Sequence, residues 1–153
     1  MVLRRDSSGV TEEDKKSMKI TSEFSLGDMV NKIRKVTVDA SEKAIVVPRA
    51  FLGTVEGGIY LFGTMTESTL DLLRRLQNNL IERIETVGNL QFNGFRSFRN
   101  EQREEAEPYR YIDGELIERF LDADEETQEG LVKGLGPDVE SMRNMVEELK
   151  RLH

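Results

Sequence analysis

The chain contains no cysteine and no tryptophan, and its single histidine is the last residue, His153. Without cysteine there are no disulfides and no thiolate metal sites. With one histidine and no thiol, neither the common zinc ligand sets nor the usual nucleophile–histidine triads can be assembled. Apolar residues are also sparse: 37% of 153 residues are hydrophobic against 33% charged, and the segments 1–23 and 99–110 hold few of them. A chain this lean must concentrate its apolar surface in blocks to offset the entropy of ordering. No apolar run approaches the length of a membrane span. The start, Met1–Thr11, carries early charge and no apolar core, so it does not read as a signal peptide. The absence of cysteine suits the reducing cytoplasm or nucleus. A net charge of −7 opposes binding of the whole chain to a nucleic-acid backbone.

What is present falls into two patterns. Val2–Arg5 is a short strand, followed by an exposed polar loop over Thr11–Lys19. From Ile20 to Thr64 the period is that of β structure. Met29, Asn31 and Ile33 alternate with Val30, Lys32 and Arg34, and Ala44–Val47 and Phe51–Val55 are strand-like runs separated by Pro48. Gly57–Gly58 signals a tight turn before Ile59–Phe62, which predicts a hairpin. At Glu67 the period changes. Leu70, Leu73, Leu76, Leu80, Ile84 and Val87 lay one stripe along a helix of about twenty residues, with Ser68 as its cap and Gly88 at its end. An aromatic stretch over 90–98 and a charged loop ending at Pro108 follow. Asp113 caps a short helix with Leu116, Ile117, Phe120 and Leu121. Asp124 caps another with Leu131, Val132 and Leu135. Pro137 opens the last, which carries Val139, Met142, Met145, Val146, Leu149 and Leu152. Each is too short to persist alone, so they must pack together. The predicted fold is α+β: antiparallel strands over about 20–65, then a small helical domain over about 66–153.

Chemistry-bearing patterns are few. The acidic pairs Glu104–Glu105, Asp122 with Asp124, Glu125–Glu126 and Glu147–Glu148 could hold a metal, but they read as solvated helix faces and first turns favoured by the helix dipole. Gly53, Gly57 and Gly58 lack the Gly-Lys-Ser/Thr of a phosphate loop. Arg96, Arg99 and Arg103, interleaved with Phe92, Phe95 and Phe98, form the one basic–aromatic cluster. It could stack on single-stranded nucleic acid. The other reading is a loop anchored by its aromatics, with the arginines paired to Glu101, Glu104 and Glu105. No catalytic residue, metal or cofactor is expected.

A family resemblance rests on longer stretches in order: Gly53–Thr–Val–Glu–Gly–Gly–Ile59, Leu76–Gln–Asn78, Val87–Gly88, Phe95–Arg–Ser–Phe98, Ile112–Asp–Gly–Glu–Leu–Ile–Glu–Arg–Phe–Leu121 and Val146–Glu–Glu–Leu–Lys–Arg–Leu–His153. Together they resemble the C-terminal region of the family of long propeller scaffolds that includes the A subunit of the cleavage-and-polyadenylation specificity factor. The Phe-Arg-Ser-Phe element and the ending resemble the family's damage-binding branch. This resemblance implies that residues 1–65 are closing strands of a β-propeller and that 66–153 is a C-terminal helical domain. It further implies a non-catalytic adaptor of cullin-RING ubiquitin ligases, acting in DNA repair and protein ubiquitination, in the nucleus and also the cytoplasm. Its partners would be substrate-receptor proteins and the rest of the propeller scaffold. Cullin would bind only through a propeller this chain lacks, any DNA contact would be indirect, and no membrane is involved. In that family a Phe-Val-Asn strand and the Val of Gly-Thr-Val line a pocket where a receptor helix docks. The matching positions here are Met29–Val30–Asn31 and Val55, with Met29 where the family has Phe. Other readings are ordinary packing of these residues in a blade, a structural subunit of a splicing or polyadenylation complex, and direct nucleic-acid binding through the arginine cluster.

Overall fold

β-branched and aromatic residues between Val30 and Thr64 build the longest ladder among the described residues. The structure is a computed structural model and describes residues 1–5, 11, 13, 16–37, 44–83, 92, 96 and 108–152. Strands β3 (Val30–Lys35), β4 (Val47–Thr54) and β5 (Ile59–Thr64) form an antiparallel sheet in the order β3-β4-β5. The register places Ile33, Leu52 and Tyr60 in one row on one face, and Arg34, Phe51 and Leu61 in the next row on the other. Pro48 does not divide β4 as the sequence implies. The register shifts between Pro48 and Ala50, and at such an irregularity proline's missing N–H is tolerated. Strands β1 (Val2–Arg5) and β2 (Met18–Ser22) pair as a separate antiparallel two-stranded sheet. Strand β2 begins inside the expected loop, because Met18 and Lys19 find backbone partners in Arg5 and Arg4.

Helix α1 (Glu67–Arg83) follows β5 and buries Leu73, Leu76 and Leu80 of the expected stripe, with Leu70 half-buried and Ile84 and Val87 outside the described residues. Its cap is Thr66 and not Ser68: the Thr66 hydroxyl accepts the Thr69 N–H at 3.3 Å, and the Thr66 carbonyl already accepts from Leu70. Helix α2 (Gly114–Glu118) starts at the expected cap Asp113 and tightens into a 3₁₀ turn over Arg119–Asp122. Helix α3 (Glu125–Val132) is capped by Asp124, also as expected. Helix α4 (Val139–Lys150) begins two residues later than Pro137 implies, since Asp138 takes the cap and accepts the Ser141 N–H at 2.8 Å. Residues 84–91, 93–95 and 97–107 are outside the described residues, and with them the expected helix end at Gly88, most of the aromatic stretch and the charged loop.

The chain divides into two compact units: residues 1–27 with 86–111, and residues 28–85 with 112–153. In the first, Glu23 and Tyr109 exchange backbone hydrogen bonds at 3.0 and 2.7 Å, and the rings of Phe24 and Tyr111 stack with centroids 4.1 Å apart. In the second, Leu73, Leu76, Leu80, Ile117, Phe120, Leu131, Met142 and Val146 are fully buried and form the helical core. Two buried amides stitch it. Gln77 on α1 accepts the Asp113 N–H at 2.8 Å, at the start of α2. Gln128 on α3 donates to the Phe120 carbonyl at 2.8 Å and accepts from Arg143 on α4 at 2.6 Å. Both amides thus satisfy groups that burial would otherwise strand.

The caps make stability acid-sensitive. The Thr127 amide, then the Thr127 hydroxyl, holds the Asp124 carboxyl below the ordinary aspartate value of 3.8. The Ser141 hydroxyl, then its amide, does the same for Asp138. A folded-state value below the unfolded one means that the unfolded chain binds more protons in that range. The contribution of both caps is therefore full above pH 3.8 and is lost as pH falls through the depressed folded values. Thermal melts along an acid series should show the Asp124→Asn/Asp138→Asn variant losing less stability than the wild type below pH 3.8. Parallel curves in that range would contradict the assignment.

Candidate docking site

The β3–β4 ladder is irregular at the end that carries the residues singled out by the sequence. Val30 pairs with Thr54 and Lys32 with Gly53, so Asn31 is the extra residue of a bulge. A bulge leaves its extra residue out of the regular pairing and re-aims it, and Asn31 is exposed. Just before β3, the Met29 carbonyl accepts the Val55 N–H at 3.0 Å. This bond brings Met29 and Val55 together across 26 positions of sequence. Both point apolar side chains outward: Met29 is 71% exposed and Val55 60%. Val55 lies in the turn after β4 and not at the end of the strand.

That turn is tightly held. Gly57 adopts φ of 94°, a left-handed conformation that glycine reaches without a Cβ penalty. The Thr54 hydroxyl accepts the Gly58 N–H at 2.9 Å, and the Thr54 carbonyl accepts from Gly57 at 3.2 Å. Asp28 fastens the turn to the start of β3, with one carboxylate oxygen accepting from Met29 and the other from Glu56. The Thr54 hydroxyl beside it lowers the Asp28 carboxyl pKa, desolvation opposes this, and the Glu56 and Met29 amides add to the lowering. The Thr54 hydroxyl also reaches the Gly58 carbonyl at 3.3 Å, but the charged carboxylate is the stronger acceptor.

Two contributors went unread in the sequence. Ile59, 78% exposed, pairs with Gly53, which pairs with Lys32, so a further apolar side chain is bared in the row next to the bulge. Asp28 belongs to no motif; the only signal was an aspartate in a Gly-Asp step just ahead of a strand, a place where such side chains bond nearby amides.

The arginine cluster is placed differently. Arg96 is 4% exposed, and its guanidinium donates to the Leu26 carbonyl at 3.1 Å and the Ser25 carbonyl at 3.5 Å. Its own carbonyl accepts the Ser25 N–H at 3.0 Å. Phe92, four residues earlier, is also buried. A guanidinium so held presents little to a phosphate. Arg99, Arg103 and His153 are outside the described residues. Among the described residues no three acidic or histidine side chains cluster as a metal site would require. A shallow concavity of about 530 Å³ lies between α3 and α4, lined by Glu129, Val132, Lys133, Pro137 and Val139; it holds none of the candidate residues.

An antiparallel sheet that bares apolar side chains at a bulged end, followed by a small packed helical core, makes a mixed α+β segment, compatible with partial propeller blades. The chain belongs to the family described as the CPSF A subunit region, whose model matches residues 1–122. It is 34% identical over 155 residues to DNA damage-binding protein 1 of Oryza sativa subsp. japonica, covering 99% of this chain and 14% of that protein. It is 33% identical to DNA damage-binding protein 1a of Arabidopsis thaliana, over 100% of this chain and 14% of the relative. DNA damage-binding protein 1 of Schizosaccharomyces pombe is 30% identical, over 100% of this chain and 15% of its own length. The chain therefore spans about one seventh of these relatives. The resemblance read from the sequence holds along its whole length.

Proposed function

We propose that this chain is the C-terminal part of a non-catalytic propeller adaptor that docks substrate receptors in a cullin-RING ubiquitin ligase, serving DNA damage recognition and repair in the nucleus. In this reading residues 1–65 supply closing strands of a propeller and 66–153 form the helical domain beside it. The carrying observation is the gathering of Met29, Asn31 and Val55 at one bulged sheet end, with two apolar side chains exposed and an amide beside them. Recognition of a partner helix requires that mixture: apolar contacts for affinity and a polar group for register. Methionine in place of an aromatic keeps a soft apolar contact. The names of the relatives supply the link to damaged DNA. Burial of Arg96 argues against a direct nucleic-acid contact through that residue, and in this reading DNA is reached through partners.

The test is a pull-down from nuclear extract with the full-length parent protein, wild type against an Asn31→Asp/Val55→Glu double variant. Both proteins should retain cullin, while receptor subunits should be lost from the variant alone, because an added carboxylate at each position places charge in a desolvated contact. Recovery of splicing or cleavage-factor subunits by the wild type, without cullin, would replace this reading with the RNA-processing one that the family's description also accommodates.

A further inference from the structure

Met29 and Val55 reach the patch from two different limbs of chain, the approach to β3 and the turn after β4, and neither limb is part of a regular ladder at that point. Side chains so placed can act as one surface only if their backbones are tied. Two ties exist. The Val55 N–H bonds to the Met29 carbonyl at 3.0 Å. The second is Asp28, whose Oδ1 accepts the Met29 N–H at 2.6 Å and whose Oδ2 accepts the Glu56 N–H at 3.2 Å. One carboxylate thus grips the amide of one patch residue and the amide next to the other.

We propose that Asp28 is a positioning residue for the docking patch: its carboxylate clasps the Met29 and Glu56 amides so that Met29 and Val55 meet a partner helix as a single preformed surface. The proposal rests on the docking reading above. Its physical basis is preorganisation. A turn already ordered in the free protein does not have to be ordered by the partner, so less binding free energy is lost on association. The grip needs two acceptor oxygens at one short reach. Alanine supplies none. Asparagine keeps one acceptor, and its other terminal atom is a donor that cannot receive an amide N–H.

The experiment uses the full-length parent protein as wild type, Asp28→Ala and Asp28→Asn. The probe is the receptor subunit that the wild type captures in the pull-down, identified by mass spectrometry, purified and titrated against each protein. Receptor affinity should fall about tenfold in Asp28→Ala and by a smaller factor in Asp28→Asn, the scale expected for lost charge-assisted hydrogen bonds. Cullin capture and the melting temperature should be unchanged. Amide hydrogen exchange should accelerate at Glu56 in the alanine variant, with asparagine intermediate. Affinity within about twofold of wild type in Asp28→Ala overturns the positioning role, given that a tenfold change is the signal sought. So does a loss accompanied by a fall in melting temperature and in cullin capture, which would mark a general structural role. A wild type that captures no receptor fails the docking reading itself, and the proposal falls with it; only that outcome involves the wild type, so the two failures are distinct.

Discussion

Replacing Phe120 with alanine should destabilise the helical part by about 3–5 kcal/mol, the range found for aromatic deletions in packed cores. Phe120 is fully buried, at the 3₁₀ turn between α2 and α3. Its neighbours cannot close over the space it leaves, because the turn is fixed at both sides. Asp124 caps the next helix, and the Phe120 carbonyl is held by Gln128. A domain's whole stability is only about 5–15 kcal/mol, so the loss should move the urea midpoint far toward native conditions. Urea denaturation followed by far-UV circular dichroism reads it. A shift of less than about 1 kcal/mol would mean that Phe120 does not sit in a close-packed interior.

Gln128→Leu should cost about 1–3 kcal/mol, by a different route. Leucine is close in size and apolar, so no large cavity opens. What is lost is the donor to the Phe120 carbonyl and the acceptor for Arg143. The side chain is fully buried, where a polar group deprived of its partner bears the full desolvation cost. If that mechanism is correct, the pair is coupled: Arg143→Met in the Gln128→Leu background should cost less than in wild type. A double-mutant cycle should give an interaction energy of about 0.5 kcal/mol or more, as for residues sharing one network. Additive costs would show that Arg143 gains nothing from Gln128.

Much of this architecture can be read from residue order. The 3.6-residue stripe of Leu73, Leu76 and Leu80 named a buried helix face, and Asp113 and Asp124 named their own helix starts. Two of the misses share a cause: competition between nearby residues of equal local merit. Thr66 and Ser68 are both hydroxyl caps, and only the path of the chain out of β5 decides for Thr66. Pro137 and Asp138 both suit a helix start, and the side-chain bond to Ser141 places the cap at Asp138. Pro48 looks like a strand breaker until pairing supplies a register shift at that point.

The proposed docking patch was half legible. Met29, Asn31 and Val55 were singled out by resemblance, but their juxtaposition depends on a bulge, and a bulge is a property of two paired strands rather than of either sequence alone. Ile59 reads as an ordinary strand residue, and its exposure emerges only from the register with Gly53. The arginine cluster shows the converse. Arginine among phenylalanines looks the same in sequence whether it faces a ligand or caps main-chain carbonyls; for Arg96 the structure gives the second.

The two compact units are threaded through one another in sequence, the chain passing between them after residues 27, 85 and 111. On a ribosome this dictates a timetable. The first unit cannot close until residue 111 has emerged, and by then the first segment of the second, residues 28–85, has been waiting for helices still to be made. At elongation rates of about 5–20 residues per second the wait lasts seconds, far longer than a hairpin or helix needs to form. During that interval the stripe of α1 has no core to enter, which makes this stretch of synthesis the moment when a chaperone would find most to hold.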